Sequence, residues 1–211
     1  RWFLMSVGIV TLLITVPLVM QNHYGWEEAF RKAFFQVASI HTSCGFATDD
    51  YNVWPHFTWM LLIYTMFAGG CTGSTGGGIK NMRLLILFRN MKNEFSRLIH
   101  PRAVLPVKVN QPALSLSTIS TVNTFILLYL ICIFVGWVAL MFMGLELTES
   151  FGLVASSLGN VGPGLGAYGP AFSWSALPDL AKWLLSFMML IGRLELFGIL
   201  LMFSPGFWHK R

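Results

Sequence analysis

Two five-residue stretches, Thr42-Ser43-Cys44-Gly45-Phe46 and Asn160-Val161-Gly162-Pro163-Gly164, have the composition needed to strip water from a small monovalent cation. Dehydration requires oxygen dipoles in place of the hydration shell, and backbone carbonyls supply them without a fixed charge that would trap the ion. Glycine permits the backbone twist that points successive carbonyls inward, since it takes positive φ at little cost. Neither stretch carries a carboxylate, so carbonyl coordination is the chemistry on offer. The other reactive residues suggest little. His23, His41, His56, His100 and His209 share no ligand spacing, and Cys44, Cys71 and Cys132 form neither a metal motif nor an even set for disulfides. No metal other than a transported cation and no organic cofactor is expected. No nucleophile, base and orienting group fall together, and an enzyme is not expected.

Elements must hold these turns at membrane depth. Ala33 to Thr48 is uncharged, and its helical part, expected to end near Gly45, is about half of what a crossing requires. It should enter the membrane and turn back, which non-helical backbone tolerates only when buried in protein or lining a watery cavity. An internal repeat doubles the signal. Val37-Ala38-Ser39 recurs as Val154-Ala155-Ser156, and the same offset carries Gly45 onto Gly162 and Tyr51 onto Tyr168. After an insertion Pro55 meets Pro178, and Met66-Phe67-Ala68-Gly69 meets Met189-Leu190-Ile191-Gly192. Residues 1–110, with a cytoplasmic linker, and 111–211 thus read as two units of span, short helix, glycine turn and span. Each short helix would direct its negative end toward the turn, which favours a cation there.

Composition agrees with lipid as the main solvent. The 211 residues are 55% hydrophobic and 11% charged, with a mean hydropathy of +0.64. Runs free of acids and of lysine and arginine cover Trp2 to Met20, Tyr51 to Ile79 and Ala113 to Leu145, each long enough to span. Of the 14 Lys and Arg, seven lie between Ile79 and Asn110 (Lys80, Arg83, Arg89, Lys92, Arg97, Arg102 and Lys108), with Glu94 the one acid among them. This marks the cytoplasmic side, and Arg1, Lys210 and Arg211 put both ends there too. The acids Glu27, Glu28, Asp49, Asp50, Glu146, Glu149 and Asp179 fall in the presumed outer loops. Both units start and end inside, so the repeats are parallel, the symmetry of a pore. A basic segment lying between two spans reads as the inner face of a membrane rather than as a nucleic-acid site. The run from Trp2 lacks the cationic leader and cleavage site of a signal peptide. A chain opening on Arg1 at the edge of a span suggests a piece of a longer polypeptide or a processed product.

Two further features are costly enough to need a purpose. Between Gly69 and Gly78 six residues are glycine, at about 1 kcal/mol each against alanine in a helix, so the second span must break there. With the span starting near Pro55, Gly69 would sit about 21 Å along it, inside the membrane. A phosphate-binding loop would need Gly directly before Lys, and Gly78-Ile79-Lys80 breaks that pattern. Arg193 falls near mid-membrane, where an unpaired cation costs at least about 2.5–3.5 kcal/mol, so it should face water or a partner. Facing the pore below the filter is the favoured reading, and an interhelical ion pair is the alternative. Glu195 should face a neighbouring helix.

The stretch Gly69-Gly70-Cys71-Thr72-Gly73-Ser74-Thr75-Gly76-Gly77-Gly78-Ile79-Lys80 closely resembles the signature of the Trk/Ktr/HKT superfamily of potassium transporters, and Gly192-Arg193-Leu194-Glu195 resembles a second one. With the ending Ser204-Pro205-Gly206-Phe207-Trp208, the bacterial TrkH-like branch is nearest. The resemblance covers essentially the whole chain. It implies an all-α integral membrane fold in which this chain is the third and fourth of four pore units, half of a pseudo-fourfold pore with the first two units absent. It also implies potassium as substrate, with Thr42, Ser43, Cys44, Gly45, Asn160, Val161 and Gly162 lining the filter. The gate would be an intramembrane loop of Gly69, Gly70, Cys71, Thr72, Gly73, Ser74, Thr75, Gly76, Gly77 and Gly78, with Arg193. A homodimer on a cytoplasmic nucleotide-binding ring, in the lipid of a bacterial inner membrane, completes the implied assembly. Alternatives of another class are a substrate-coupled secondary transporter and a half-pore that does not conduct unaided.

Overall fold

The computed structural model describes residues 2–71, 73–74, 76–100, 106–108 and 114–202. These form eight α-helices joined by loops and short 3-10 turns: α1 (Trp2–Gln21), α2 (Trp26–His41), α3 (His56–Ala68), α4 (Asn81–Ile99), α5 (Leu116–Phe142), α6 (Leu147–Gly159), α7 (Asp179–Arg193) and α8 (Leu196–Met202). Two of them, α1 and α5, are long and apolar enough to cross a membrane, with 20 and 27 residues. At 1.5 Å per residue these reach about 30 and 40 Å, against a hydrocarbon core of about 30 Å. In α1 the buried Thr11 and Thr15 donate to the carbonyls of Val7 and Thr11, both at 2.8 Å, so no hydroxyl is left unpaired in an apolar surround.

Three boundaries differ from the sequence expectations. The first short helix begins at Trp26 and ends at His41, before Gly45, because Ser43 adopts φ 57° and cannot continue a right-handed helix. Residues 81–99, expected as part of a linker, are helical. Leu84, Leu85, Phe88 and Phe95 recur at helical spacing and alternate with Arg83, Arg89 and Lys92, an amphipathic pattern that a charge count alone conceals. The last span is interrupted too. α7 stops at Arg193, Glu195 takes φ 59°, and α8 starts afresh at Leu196.

The packing joins the two units. α6 is buried along its whole C-terminal part, from Gly152 to Gly159, and packs on α5, α7 and α3. Lipid tails are as apolar as leucine, so close approach of small residues rather than transfer from water must hold such helices together. Gly152, Ala155 and Gly159 on α6 provide that approach. Ala155, Val161 and Leu165 of the second unit lie in the buried cluster built by α1, α2 and α3, while Phe67 of α3 stands edge-on to Phe151 of α6 at 6.0 Å.

Candidate cation pathway

The two short helices end in the same turn. After α2, the amide of Cys44 donates to Ser39 O at 2.8 Å and that of Ser43 to Ile40 O at 3.0 Å; after α6, Val161 donates to Ser156 O at 3.0 Å and Asn160 to Ser157 O at 3.2 Å. Every atom in the first pair of bonds maps onto the second at one offset, 161 − 44 = 117 and 156 − 39 = 117. The backbone angles repeat as well: φ is 57° at Ser43 and 53° at Asn160, then 80° at Gly45 and 115° at Gly162. Two left-handed residues within three positions reverse the chain at each helix end. Glycine occupies the second at no steric cost, and asparagine tolerates the first. Ser43 was not recognised as a left-handed residue from sequence. The offset that relates it to Asn160 is the signal that could have found it.

The turns come together at the helix ends. A β-carbon at Gly45 would stand 2.1 Å from the carbonyl oxygen of Val161, so the absence of a side chain is what lets the two candidate filter strands touch. Ser43 Oγ donates to Gly159 O at 3.1 Å, linking the first strand to the end of α6, and Ser156 Oγ accepts from the Gly162 amide at 3.0 Å. Thr42 folds its hydroxyl back onto Ala38 O at 2.8 Å. Thr42, Cys44 and Gly162 are exposed on the surface of this chain, whereas Val161 is buried. Beyond the turns Tyr51 donates its hydroxyl to Gly164 O, and the Asn52 amide clasps the backbone of Gly166 from both sides at 3.0 and 3.1 Å.

The glycine-rich segment is a closed excursion from α3. Gly69 ends that helix with φ 56°, and ten residues later Ile79 returns its amide to Phe67 O at 2.8 Å, so entry and exit lie side by side. The far side presses on the helix ends. A β-carbon at Gly77 would meet the carbonyl groups of Gly159 and Leu158 at 2.7 Å, and one at Gly76 would meet Ser43 Oγ at 2.9 Å. Gly70, Ser74 and Gly78 complete the described part, Cys71 and Gly73 are exposed, and Thr72 and Thr75 lie outside the described residues. The loop therefore abuts both turns.

A charged cluster sits at the exit of this loop. Glu195 receives Lys80 Nζ at 2.9 Å on one oxygen and Arg83 Nη2 at 3.1 Å on the other. Arg83 also lies over the Phe125 ring at 4.0 Å. Lys80 (φ 68°) and Glu195 (φ 59°) both occupy the left-handed region, so each arm of this bridge starts from a constrained backbone. Arg193 is exposed at the last turn of α7, beside Gly192, which is packed against Leu158 O and the Asn160 side chain. The sequence reading placed Glu195 against a neighbouring helix without naming its partners. It also missed His41, which is fully buried and has Nε2 2.7 Å from Asn81 Nδ2 and 3.3 Å from Ser6 Oγ, linking α1, α2 and α4. Among the described residues no group of histidine, cysteine and acids could hold a metal ion.

Residues 3–210 match the family model of the cation transport protein TrkH. The chain belongs to the TrkH family. Among its relatives, the Trk system potassium uptake protein TrkH of Salmonella typhimurium is 39% identical over 99% of this chain and 44% of its own length. The Trk system potassium uptake protein TrkG of Escherichia coli is 37% identical over 100% of this chain and 43% of its own. The crystal structure of the potassium transporter TrkH from Vibrio parahaemolyticus superposes with a TM-score of 0.91 at 38% identity, covering 99% of this chain and 44% of that one. The chain thus spans less than half the length of these relatives. In this TrkH-family chain the ending 204–208 and the terminal Lys210 and Arg211 lie outside the described residues.

Proposed function

We propose that this chain provides half the wall of a potassium-conducting pore, with the filter formed by the carbonyls of residues 42–45 and 160–162 and the gate by the loop 69–78 with Arg193. One observation carries the reading. Two turns related by a 117-residue offset repeat their hydrogen bonds and their left-handed angles, and meet where Gly45 touches Val161 O. The names of the relatives, potassium uptake proteins of the Trk system, support potassium as the cation. The loop abuts both turns, which supports its role as an obstruction. The names of the relatives and the apolar helices support a bacterial inner membrane, and the basic segment supports cytoplasmic placement of both ends.

The packing also supports an incomplete ring. Within the chain Phe67 of the first unit packs on Phe151 of the second. Their counterparts by the two repeat offsets are Leu190 and Phe34, and these are 49% and 48% exposed. One end of the arc thus presents the donor half of this contact and the other end presents the acceptor half. Head-to-tail contacts of this kind close into rings. Two further units, supplied by the part of the relatives that this chain does not span, would fill both ends, and the assembly would then seat as a homodimer on a cytoplasmic nucleotide-binding ring.

The test is selectivity. In a complete pore containing this segment, Gly45→Ser and Gly162→Ser should each lower the potassium to sodium flux ratio. The loss should be larger for Gly45→Ser, where the added carbon meets backbone, than for Gly162→Ser, where no atom lies within 4 Å and backbone strain acts alone. An unchanged ratio in both variants would remove the filter assignment.

A further inference from the structure

A groove of about 670 Å³ runs between α1 and α4, floored by α3. Its apolar walls include Ile9, Leu13, Leu61, Leu85 and Phe88, and its one charged end is formed by Arg89 and Lys92 beside Trp2. The guanidinium of Arg89 lies 5.9 Å from the Trp2 ring centre, which fixes that end at the start of α1. The wall along α1 runs from Trp2 to Leu13, and the wall along α4 from Asn81 to Lys92. Eleven steps at 1.5 Å make each wall about 16 Å long, half of a hydrocarbon core of about 30 Å. The groove has the depth of one leaflet. Its charged end carries two cations and an interfacial tryptophan, and no carboxylate lines it. Basic pockets between membrane helices on the cytoplasmic side suit anionic head groups, and tryptophan belongs at the level of those groups.

We infer that this groove is a binding site for one anionic phospholipid of the inner leaflet, its acyl chain lying along α1 and α4 and its phosphate held by Arg89 and Lys92. The inference rests on the topology proposed above but not on the filter or the gate. It also suggests why α4 is folded as a helix despite burying only Ile86 among its own residues: a lipid chain covers much of the remaining apolar face. An anionic lipid would then bear on the loop, because α4 begins one residue after Lys80.

Native mass spectrometry of the purified chain, titrated with phosphatidylglycerol and separately with phosphatidylcholine of identical tails, tests this. Each basic residue near an anionic surface contributes about fivefold, so phosphatidylglycerol should bind some tenfold or more tightly than phosphatidylcholine. Arg89→Gln with Lys92→Gln should erase that preference while leaving residual binding of both lipids. Ile9→Trp, on an exposed wall position, should weaken both lipids equally by filling the tail site. Thermal melting by circular dichroism checks that each variant is folded. Equal binding of the two lipids by the unaltered chain, or a preference that survives the double substitution in folded protein, overturns the inference. So does a groove filled by a second copy, seen as a dimer whose dissociation alone opens phosphatidylglycerol binding.

Discussion

Replacing Glu195 by Gln would remove the one acid that receives both Lys80 and Arg83. At 2.9 and 3.1 Å each pair has a Coulomb attraction of about 5 kcal/mol at an effective dielectric of about 20. Desolvating the ions costs several kcal/mol, and the Glu195 side chain keeps 44% of its exposure, so most of that attraction is cancelled or screened. A net loss of about 2 kcal/mol remains, between the values for exposed and for fully buried pairs. Glutamine keeps the volume and one acceptor, so the loss reports charge rather than packing. The bridge joins the exit of the glycine-rich loop to the break after α7, and its loss should loosen the loop. We expect lower resistance to denaturation in mixed micelles and a higher potassium flux per folded transporter. A double-mutant cycle with Lys80→Met isolates the pair, and a coupling of about 1 kcal/mol is expected because the two groups are in contact. Additivity within about 0.3 kcal/mol would show that the bridge does no mechanical work.

Three other perturbations separate gate, barrier and interface. Deleting residues 72–76 should raise potassium flux and weaken its dependence on the cytoplasmic partner; loss of flux in folded protein would make the loop a structural support. Arg193→Gln should raise flux with near-normal folding, since a cation 4 Å from the guanidinium is repelled by about 4 kcal/mol at an effective dielectric of about 20. Collapse of expression would instead mark Arg193 as half of a structural pair, at a cost of about 3–5 kcal/mol. Phe34→Ala and Leu190→Ala should leave the chain itself folded, because both side chains are about half exposed, yet should weaken co-purification with a separately expressed first half by about tenfold. Undiminished co-purification would remove the open-arc reading.

The sequence showed the turns more clearly than the helices between them. Gly45 and Gly162 were legible because positive φ leaves few residue choices, and the repeat doubled the evidence. Gly69 to Gly78 was legible as a break because glycine is costly inside a helix. The break at Glu195 was hidden, since no glycine marks the left-handed residue and the strain there is held by two cations from residues 80 and 83. α4 was hidden for another reason: seven basic residues in one segment describe topology well and secondary structure poorly. His41 gave no signal because its partners, Ser6 and Asn81, are distant in sequence and each is an ordinary polar residue.

The insertion that disturbs the repeat after Tyr51 and Tyr168 shows what the two units have kept in common. In the first unit the Tyr51 carbonyl accepts from the indole of Trp59 at 2.8 Å. In the second unit the chain between Tyr168 and Pro178 is six residues longer and carries an extra 3-10 turn over Trp174–Ala176. The Tyr168 carbonyl accepts from the indole of Trp174 at 3.2 Å. Trp59 and Trp174 are not equivalent by either repeat offset; one comes from the second helix of its unit and the other from the insertion. Each of these carbonyls already accepts one backbone amide, Tyr51 O from Trp54 at 3.2 Å and Tyr168 O from Gly164 at 2.9 Å, so the indole engages the second lone pair by whatever route the connection allows. Tryptophan suits both routes, having a single donor on a large apolar body. At the helix ends likewise two backbone bonds repeat at one offset while a third differs, the Gly45 amide donating to Ser39 O and the Gly162 amide to Ser156 Oγ: the backbone course of the turn is what each unit has to hold.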